Sequence, residues 1–297
     1  MSTIIETIKL NMDDMSKGHK AIASYILENY EKVAYMTAAK LASSVGVSES
    51  TVVRFTTELG FEGYPHFQKA FKEELKSKLT SVQRLNATER FADDSAAVHD
   101  IMQADIDNLK ETLAAINEES FNSAVNAFLN AKHIYLMGLR ASSPLSSFMY
   151  FYMTVLFDDV IHISSNSANE VFEQILPISE GDVMIGISFP RYSQRTVNSM
   201  SYAKKRGATV IAITDKENTV MTDNSDIALL AKSSMASFVD SLSAPLSLIN
   251  ALLVTLGIHR KEHIKTSFEA LEELWSEYGV YEDGDRSGRS YTNGDIL

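Results

Sequence analysis

The chain has 297 residues, 45% hydrophobic and 22% charged, with a formal net charge of −12 and no cysteine. At about 100–200 residues per domain this length suits roughly two domains with sizeable cores. The lack of cysteine excludes disulfides, thiolate metal ligands and cysteine nucleophiles, and fits a reducing compartment. No apolar run approaches the ~18 residues of a membrane span, and the opening residues carry no basic-then-apolar signal pattern. The expected location is therefore the cytoplasm, with no membrane partner.

The acidic balance is uneven. Residues 1–80 hold ten Lys or Arg and ten Asp or Glu, so the deficit of twelve lies wholly in the remainder, which has seventeen against twenty-nine. A neutral N-terminal part on an acidic body leaves DNA binding open to the former.

Residues 1–80 read as all-helical, with apolar positions at spacings of three and four: Ile22, Tyr25 and Ile26, then Leu41 and Ala42, then Val52, Phe55 and Leu59, then Phe67, Phe71 and Leu75. Gly46 breaks the second segment from the third, while Gly60, Gly63 and Pro65 precede the fourth. Within this region, residues 37–61 have helix-turn-helix grammar. Ala38, Leu41 and Ala42 are small enough for close packing, Gly46 supplies the turn, Val47 packs inward, and Ser48 is a good N-cap. At 100° per residue Val52, Phe55 and Leu59 share one face of the second helix, while Ser50, Thr51, Arg54 and Glu58 share another. A recognition helix needs that division. Arg54 suits guanine or a phosphate, and Ser48, Ser50, Thr51 and Lys40 suit bases or backbone. Lys69, Lys72, Lys76 and Lys78 are further backbone candidates, or simply solvated. The plainer alternative is a small helical domain with a polar exposed face.

Residues 80–95 read as a linker or exposed helix extension, followed by helices near 96–115 and 119–131. Then the pattern changes. Short apolar runs at 133–137, 160–164, 183–188 and 209–214, with a weaker one at 226–231, alternate with helical stretches at 143–157, 167–177, 194–206 and 243–258. Strands apolar throughout imply a parallel sheet covered on both faces, with its ligand site at the strands' carboxyl ends. Two loops there carry polar groups. Gly138 allows a tight turn before Arg140, Ser142 and Ser143, and the run from Ser188 brings Arg191, Ser193 and Thr196 to another helix start. Hydroxyls, free N–H groups and a helix dipole suit a phosphate, and Arg140 or Arg191 would add charge-assisted bonds. Neither loop is a dinucleotide or Walker sequence, and no cofactor is expected. Plain helix capping is the alternative use of these residues. The polar, Gly-rich stretch at 282–297 reads as a mobile tail.

The run LASSVGVSESTVVRFTTELGFEGYPHFQKAFKEEL resembles the N-terminal DNA-binding domain of the RpiR family of bacterial transcriptional regulators, over roughly residues 1–80. Its most specific part is Ser50-Thr51-Val-Val-Arg54-Phe followed by Leu59-Gly60-Phe61 and Gly63-Tyr64. Membership implies operator DNA as partner, read by the second helix. Residues 120–262 resemble the SIS (sugar isomerase) domain, on the runs IYLMGLRASS, DVMIGISFPRYSQRTVNSMSYAKKRGATVIAITD and SLSAPLSLINALL. That resemblance implies a flavodoxin-like αβα sandwich with a five-stranded parallel sheet, binding a phosphorylated sugar. Many SIS loops read Ser-x-Ser-Gly-x-Thr after the third strand, whereas this chain has SFPRYSQRT, without the glycine and with an inserted Arg. The phosphosugar is expected at Arg140, Ser142, Ser143, Ser188, Arg191, Ser193 and Thr196.

The expected organisation is a helix-turn-helix domain over 1–80, a linker and dimerisation helix over 81–119, the SIS domain over 120–262, and a C-terminal helix and mobile tail over 263–297. SIS domains serve isomerases and sensors alike, so fold alone does not choose. An isomerase needs a general base, for which Glu170, Glu173, His162 and His259 are candidates, each with a plainer structural role. His259 and His263 are spaced i,i+4, but no acidic partner completes a metal motif. Attached to a DNA-binding domain, the sugar site serves best as an effector site. The expectation is a regulator without catalytic or metal residues, acting as a homodimer or higher homo-oligomer through the helices at 96–131 and 243–258. A sugar-phosphate isomerase with an accessory helical domain is the alternative, and a pure interaction module a third.

Overall fold

The computed structural model describes residues 4–78, 85, 94–165, 167–234 and 238–279; the expected tail and most of the expected linker at 80–95 lie outside the described residues. The N-terminal part comprises α1 (Ile4–Asn11), α2 (Lys17–Glu28), the single turn α3 (Tyr30–Val33), α4 (Ala38–Val45), α5 (Glu49–Glu58) and α6 (Tyr64–Lys78). Side-chain caps start three of these helices, with Ser16, Thr37 and Ser48 each accepting from the backbone N–H three residues on. The apolar repeats converge as expected. Ile22, Ile26, Leu41, Val52, Phe55, Phe67 and Phe71 are buried together, whereas Leu59 and Tyr25 pack only at the margin.

Next come α7 (Asp94–Ala114) and α8 (Glu118–Leu129), then β1 (Ile134–Gly138), a 3-10 turn (Arg140–Ser142) and α9 (Ser143–Leu156). The chain continues through β2 (Val160–Ile163), α10 (Ala168–Ile175), β3 (Val183–Ile187), α11 (Gln194–Lys205), β4 (Thr209–Thr214), α12 (Val220–Asp223), β5 (Ile227–Leu230), α13 (Ser243–His259) and α14 (Lys261–Tyr278). All five expected strands form, each within two residues of its expected bounds.

The sheet is parallel throughout, in the order β2-β1-β3-β4-β5. β1 and β3 are buried at every position, which is why their sequences do not alternate. On one face Leu136, Ile185 and Ile213 meet Met149 and Met153 of α9 and Leu252 and Leu256 of α13. On the other, Met137, Met184 and Val210 meet Val171 and Ile175 of α10 and Val197 and Met200 of α11. α13 thus spends most of its apolar residues on the sheet and leaves Val254 and Ile258 to solvent. With this strand order the chain reverses direction between β1 and β3, and the loops leaving those two strands diverge to open a crevice.

Candidate functional site

The helix-turn-helix forms where expected. Gly46 ends α4 in the left-handed conformation (φ 77°), and the N–H groups of Gly46 and Val47 both donate to the Ala42 carbonyl. A side chain at 46 would meet no neighbour, so glycine is required there by conformation and not by space. Ser48 then caps α5, accepting from the Thr51 N–H at 3.2 Å. Its hydroxyl also lies 2.9 Å from Ser50 Oγ and 2.7 Å from Thr51 Oγ1, so the three hydroxyls form one cluster at the exposed start of α5. Arg54 Nε reaches back to the Ser50 carbonyl at 3.4 Å, which lays the guanidinium along this end of the helix. Lys40 on α4, Ser48, Ser50 and Arg54 are exposed, and Thr51 is half-buried.

Three other charged residues of this part have structural partners. Glu58 at the far end of α5 meets His19 Nδ1 of α2 at 2.9 Å, fastening the helix from behind. Lys69 pairs with Glu111 of α7 at 2.9 Å, and the Lys72 ammonium lies 5.3 Å from the Tyr35 ring centre. The Lys76 and Lys78 side chains lie outside the described residues. The Tyr64 hydroxyl donates to the Met36 carbonyl at 2.8 Å, and burial pushes its pKa up to about 12, so this tie to the turn before α4 holds across neutral pH. Residue patterning overlooked Val53, which is 39% exposed on the turn that carries Ser50 and Arg54.

A cavity of about 240 Å³ opens at the carboxyl ends of β1 and β3. Its first wall is Leu139–Ser142, its second runs from Ser188 to Ser193, and its third is Phe238, Asp240 and Leu242, ahead of α13. Gly138 makes the first wall possible, because a Cβ there would lie 2.7 Å from the Ser142 carbonyl and 2.9 Å from Ser146 Cβ. Both arginines of the cavity are non-glycine residues in the left-handed region, Arg140 at φ 56° and Arg191 at φ 67°. Each such residue stores roughly 1–3 kcal/mol of strain, a pattern concentrated at ligand clamps. The second wall is held at both ends. The buried Ser188 accepts from the Ser193 N–H at 3.0 Å, Tyr192 donates to Asp215 at 2.7 Å, and Ser193 caps α11. Burial and the Asp215 carboxylate drive the Tyr192 pKa upward, keeping this phenol a donor.

Five of the seven residues expected at the sugar site line this one cavity: Arg140, Ser142, Ser188, Arg191 and Ser193. The other two are not among the residues that line it. Ser143 is the first residue of α9, and its carbonyl accepts from Ser146 Oγ at 3.1 Å. Thr196 is fully buried one turn into α11, beside the position a Gly186 side chain would occupy. None of the acid–base candidates Glu170, Glu173, His162 and His259 lines the cavity. His162 accepts or donates at Ser146 Oγ (3.1 Å) and stacks on Tyr150, and burial lowers its pKa. No group of three potential metal ligands exists among the described residues. The third wall carried no motif: Phe238, Asp240 and Leu242 sit in the serine-rich run SSMASFVDSLSAP, and only the rule that ligands sit at strand ends pointed near it.

Residues 2–78 match the helix-turn-helix domain model of the rpiR family, and residues 127–255 match the SIS domain model. An uncharacterized HTH-type transcriptional regulator of Caldanaerobacter subterraneus subsp. tengcongensis is 25% identical over 289 residues, covering 93% of this chain and 98% of that one. The HTH-type transcriptional regulator HexR of Escherichia coli is 25% identical over 217 residues, or 71% of this chain and 72% of its own. The solved structure of the Vibrio vulnificus NanR protein complexed with ManNAc-6P superposes with a TM-score of 0.56 at 22% identity, covering 93% of this chain and 99% of that one.

Proposed function

Because the chain belongs to the RpiR family of HTH-type regulators, its helix-turn-helix domain followed by a SIS domain, we propose that it binds operator DNA through α5 under the control of a phosphorylated sugar. The observation that carries this reading is the strand-end cavity at the β1/β3 reversal, with two strained arginines and the N-termini of α9 and α11 converging on it. A helix N-terminus favours an anion through its free N–H groups and dipole, and Arg140 and Arg191 add charge-assisted donors. Ser142, Ser188 and Ser193 supply hydroxyls at the same end. The NanR structure of this fold holds ManNAc-6P, which supports a phosphosugar as the ligand class.

On the DNA side, Arg54 reads guanine or holds a phosphate, with Ser48, Ser50, Thr51 and Lys40 along the backbone. Val53 offers an apolar contact suited to a thymine methyl. The acidic C-terminal body repels DNA, which confines contact to the neutral N-terminal part. The protein acts as a homodimer or higher homo-oligomer, since two reading helices must lie about 34–36 Å apart to engage both half-sites of a palindrome. α7 supports the subunit contact with exposed Val98, Met102, Ile106 and Leu113, which share one helix face at spacings of four and seven. A phosphosugar that favours one arrangement of the oligomer changes operator affinity by its differential affinity, and DNA changes sugar affinity reciprocally. We place the protein in the cytoplasm as a sensor and not as an isomerase, a reading supported by relatives named as transcriptional regulators and by the absence of Glu170, Glu173, His162 and His259 from the cavity lining.

Fluorescence anisotropy on DNA from upstream of the protein's own gene, with excess random competitor, tests this reading. Competitor-resistant binding that one member of a phosphosugar panel changes is the expected result. Turnover of an aldose phosphate without specific DNA binding would replace it with the isomerase.

A further inference from the structure

The third wall of the cavity is held differently from the other two. The loops after β1 and β3 leave strands of the sheet directly, and Ser188 is still tied to it through the Ile213 carbonyl. Phe238, Asp240 and Leu242 lie instead in the crossing from β5 to α13, and α7 grips that crossing from outside. Asp105, Asn108 and Thr112 share one face of α7 at spacings of three and four, and all three reach it. Thr112 Oγ1 accepts from the Lys232 N–H at 2.8 Å. Asn108 brackets Ser234, accepting from its N–H at 3.3 Å and donating to its carbonyl at 3.1 Å across 126 positions of sequence. The two carboxylate oxygens of Asp105 accept from Ser241 Oγ at 2.5 Å and Ser243 Oγ at 2.7 Å. Ser233 Oγ closes the crossing on itself through the Ser241 carbonyl at 2.7 Å.

Asn108 and Thr112 are 4% and 6% exposed, so their bonds are shielded from water. Polar groups buried this way specify one seating of the helix against the loop, because any slip leaves donors or acceptors unpaired. The same helix touches the DNA-binding part through Glu111 and Lys69. The wall itself is suited to a sugar and not to its phosphate. Phe238 lines the cavity while 55% exposed, giving a ring face for the C–H side of a pyranose. Asp240 lines the same wall, where a carboxylate would accept from sugar hydroxyl or amide groups and repel a phosphate toward Arg140 and Arg191.

Building on the effector reading above, we propose that Phe238 and Asp240 read the sugar end of the phosphosugar. Asp105, Asn108 and Thr112 are then positioning residues that hold this wall and pass its state to α7. A sugar bound against this wall loads the hydrogen bonds that seat α7, a helix that also contacts α6. This links cavity to DNA-binding domain without a direct contact between the two sites.

Calorimetry on the full chain tests the proposal with inorganic phosphate, ManNAc-6P and glucose 6-phosphate, alongside the operator assay. For whichever sugar phosphate the parent protein binds, Asp105→Ala is expected to weaken it at least tenfold while inorganic phosphate stays within twofold. Asp105→Asn, which can still bond both hydroxyls, should recover most of that loss, and Ser241→Ala/Ser243→Ala should reproduce it from the loop side. Phe238→Ala should weaken the sugar phosphate without affecting phosphate. In Asp105→Ala, operator affinity without sugar is retained and its response to sugar falls at least fivefold. A misfolded variant would lose phosphate as well, so the split separates positioning from collapse. Unchanged sugar affinity and response in Asp105→Ala and in the double serine variant would overturn the proposal and leave the effector reading standing. A parent protein that binds neither sugar phosphate nor phosphate would bring down both.

Discussion

The two sites of this protein are built on opposite principles. The face proposed to read DNA lies on a regular helix, where Ser48, Ser50, Thr51 and Arg54 are placed by helical periodicity and one N-cap. The cavity proposed to hold the sugar is lined by three irregular segments, two of which hold an arginine in the left-handed region. A duplex groove is itself regular and can be met by a rigid, unstrained element. A small anion must be surrounded, and converging loops achieve this by accepting backbone strain. Change on the helix should therefore affect recognition alone, and change in the loops should exchange binding against stability.

The largest effect expected is from Arg140→Ala with Arg191→Ala. Each charge-assisted contact contributes about 1.5–3 kcal/mol, so the pair should weaken phosphosugar binding by two orders of magnitude or more in calorimetry, with operator binding retained. Arg191→Gly sharpens this, because glycine accepts φ 67° without strain. Its unfolding midpoint should equal or exceed that of the parent while the sugar affinity falls at least tenfold. A midpoint that fell with the affinity would show that the strain is not there to be relieved.

Arg54→Ala comes next. Losing one bidentate base contact costs about 1–3 kcal/mol, or about five- to 150-fold in specific operator affinity, and phosphosugar affinity should stay within twofold. Parallel loss of both would break the separation between the sites. Gly46→Ala should lower stability by about 1–2 kcal/mol, since only glycine holds φ 77° freely, and denaturant titration of the N-terminal helices would show it. The smallest effect is a pH dependence. Burial lowers the His162 pKa below the ordinary value near 6.5, so the unfolded chain binds the proton more readily than the folded one. Stability should then fall as pH drops through about 6.5, and His162→Gln should flatten that part of the profile.

Legibility in the sequence follows the same division. The helix-turn-helix was readable down to single residues, because its turn glycine, N-cap serine and apolar face lie within twenty-five positions of one another. The central strands were plain, since burial on both faces demands continuous apolar runs, while β5, a half-buried edge strand, left the weaker signal. Two walls of the cavity were found because their serines and arginines directly follow strands. Thr196 and Ser143 fitted the same pattern but do not line the cavity: Thr196 is fully buried beside Gly186 of β3, and spacing alone does not separate the buried side of a helix start from its open side. Lys69 looked like a free basic residue on the DNA-binding part, yet it spans to Glu111 on another helix.

The elements, their order, the buried faces and the capping residues are legible in the chain because interactions among neighbours a few positions apart set them. Tertiary structure alone decided which loops close on the cavity, the left-handed turn of both arginines, and the grip of α7 on a wall more than a hundred residues away. Periodicity records which side of an element is buried. It carries no trace of which distant segment will complete a hydrogen bond, because that pairing depends on where the whole sheet places its loop ends.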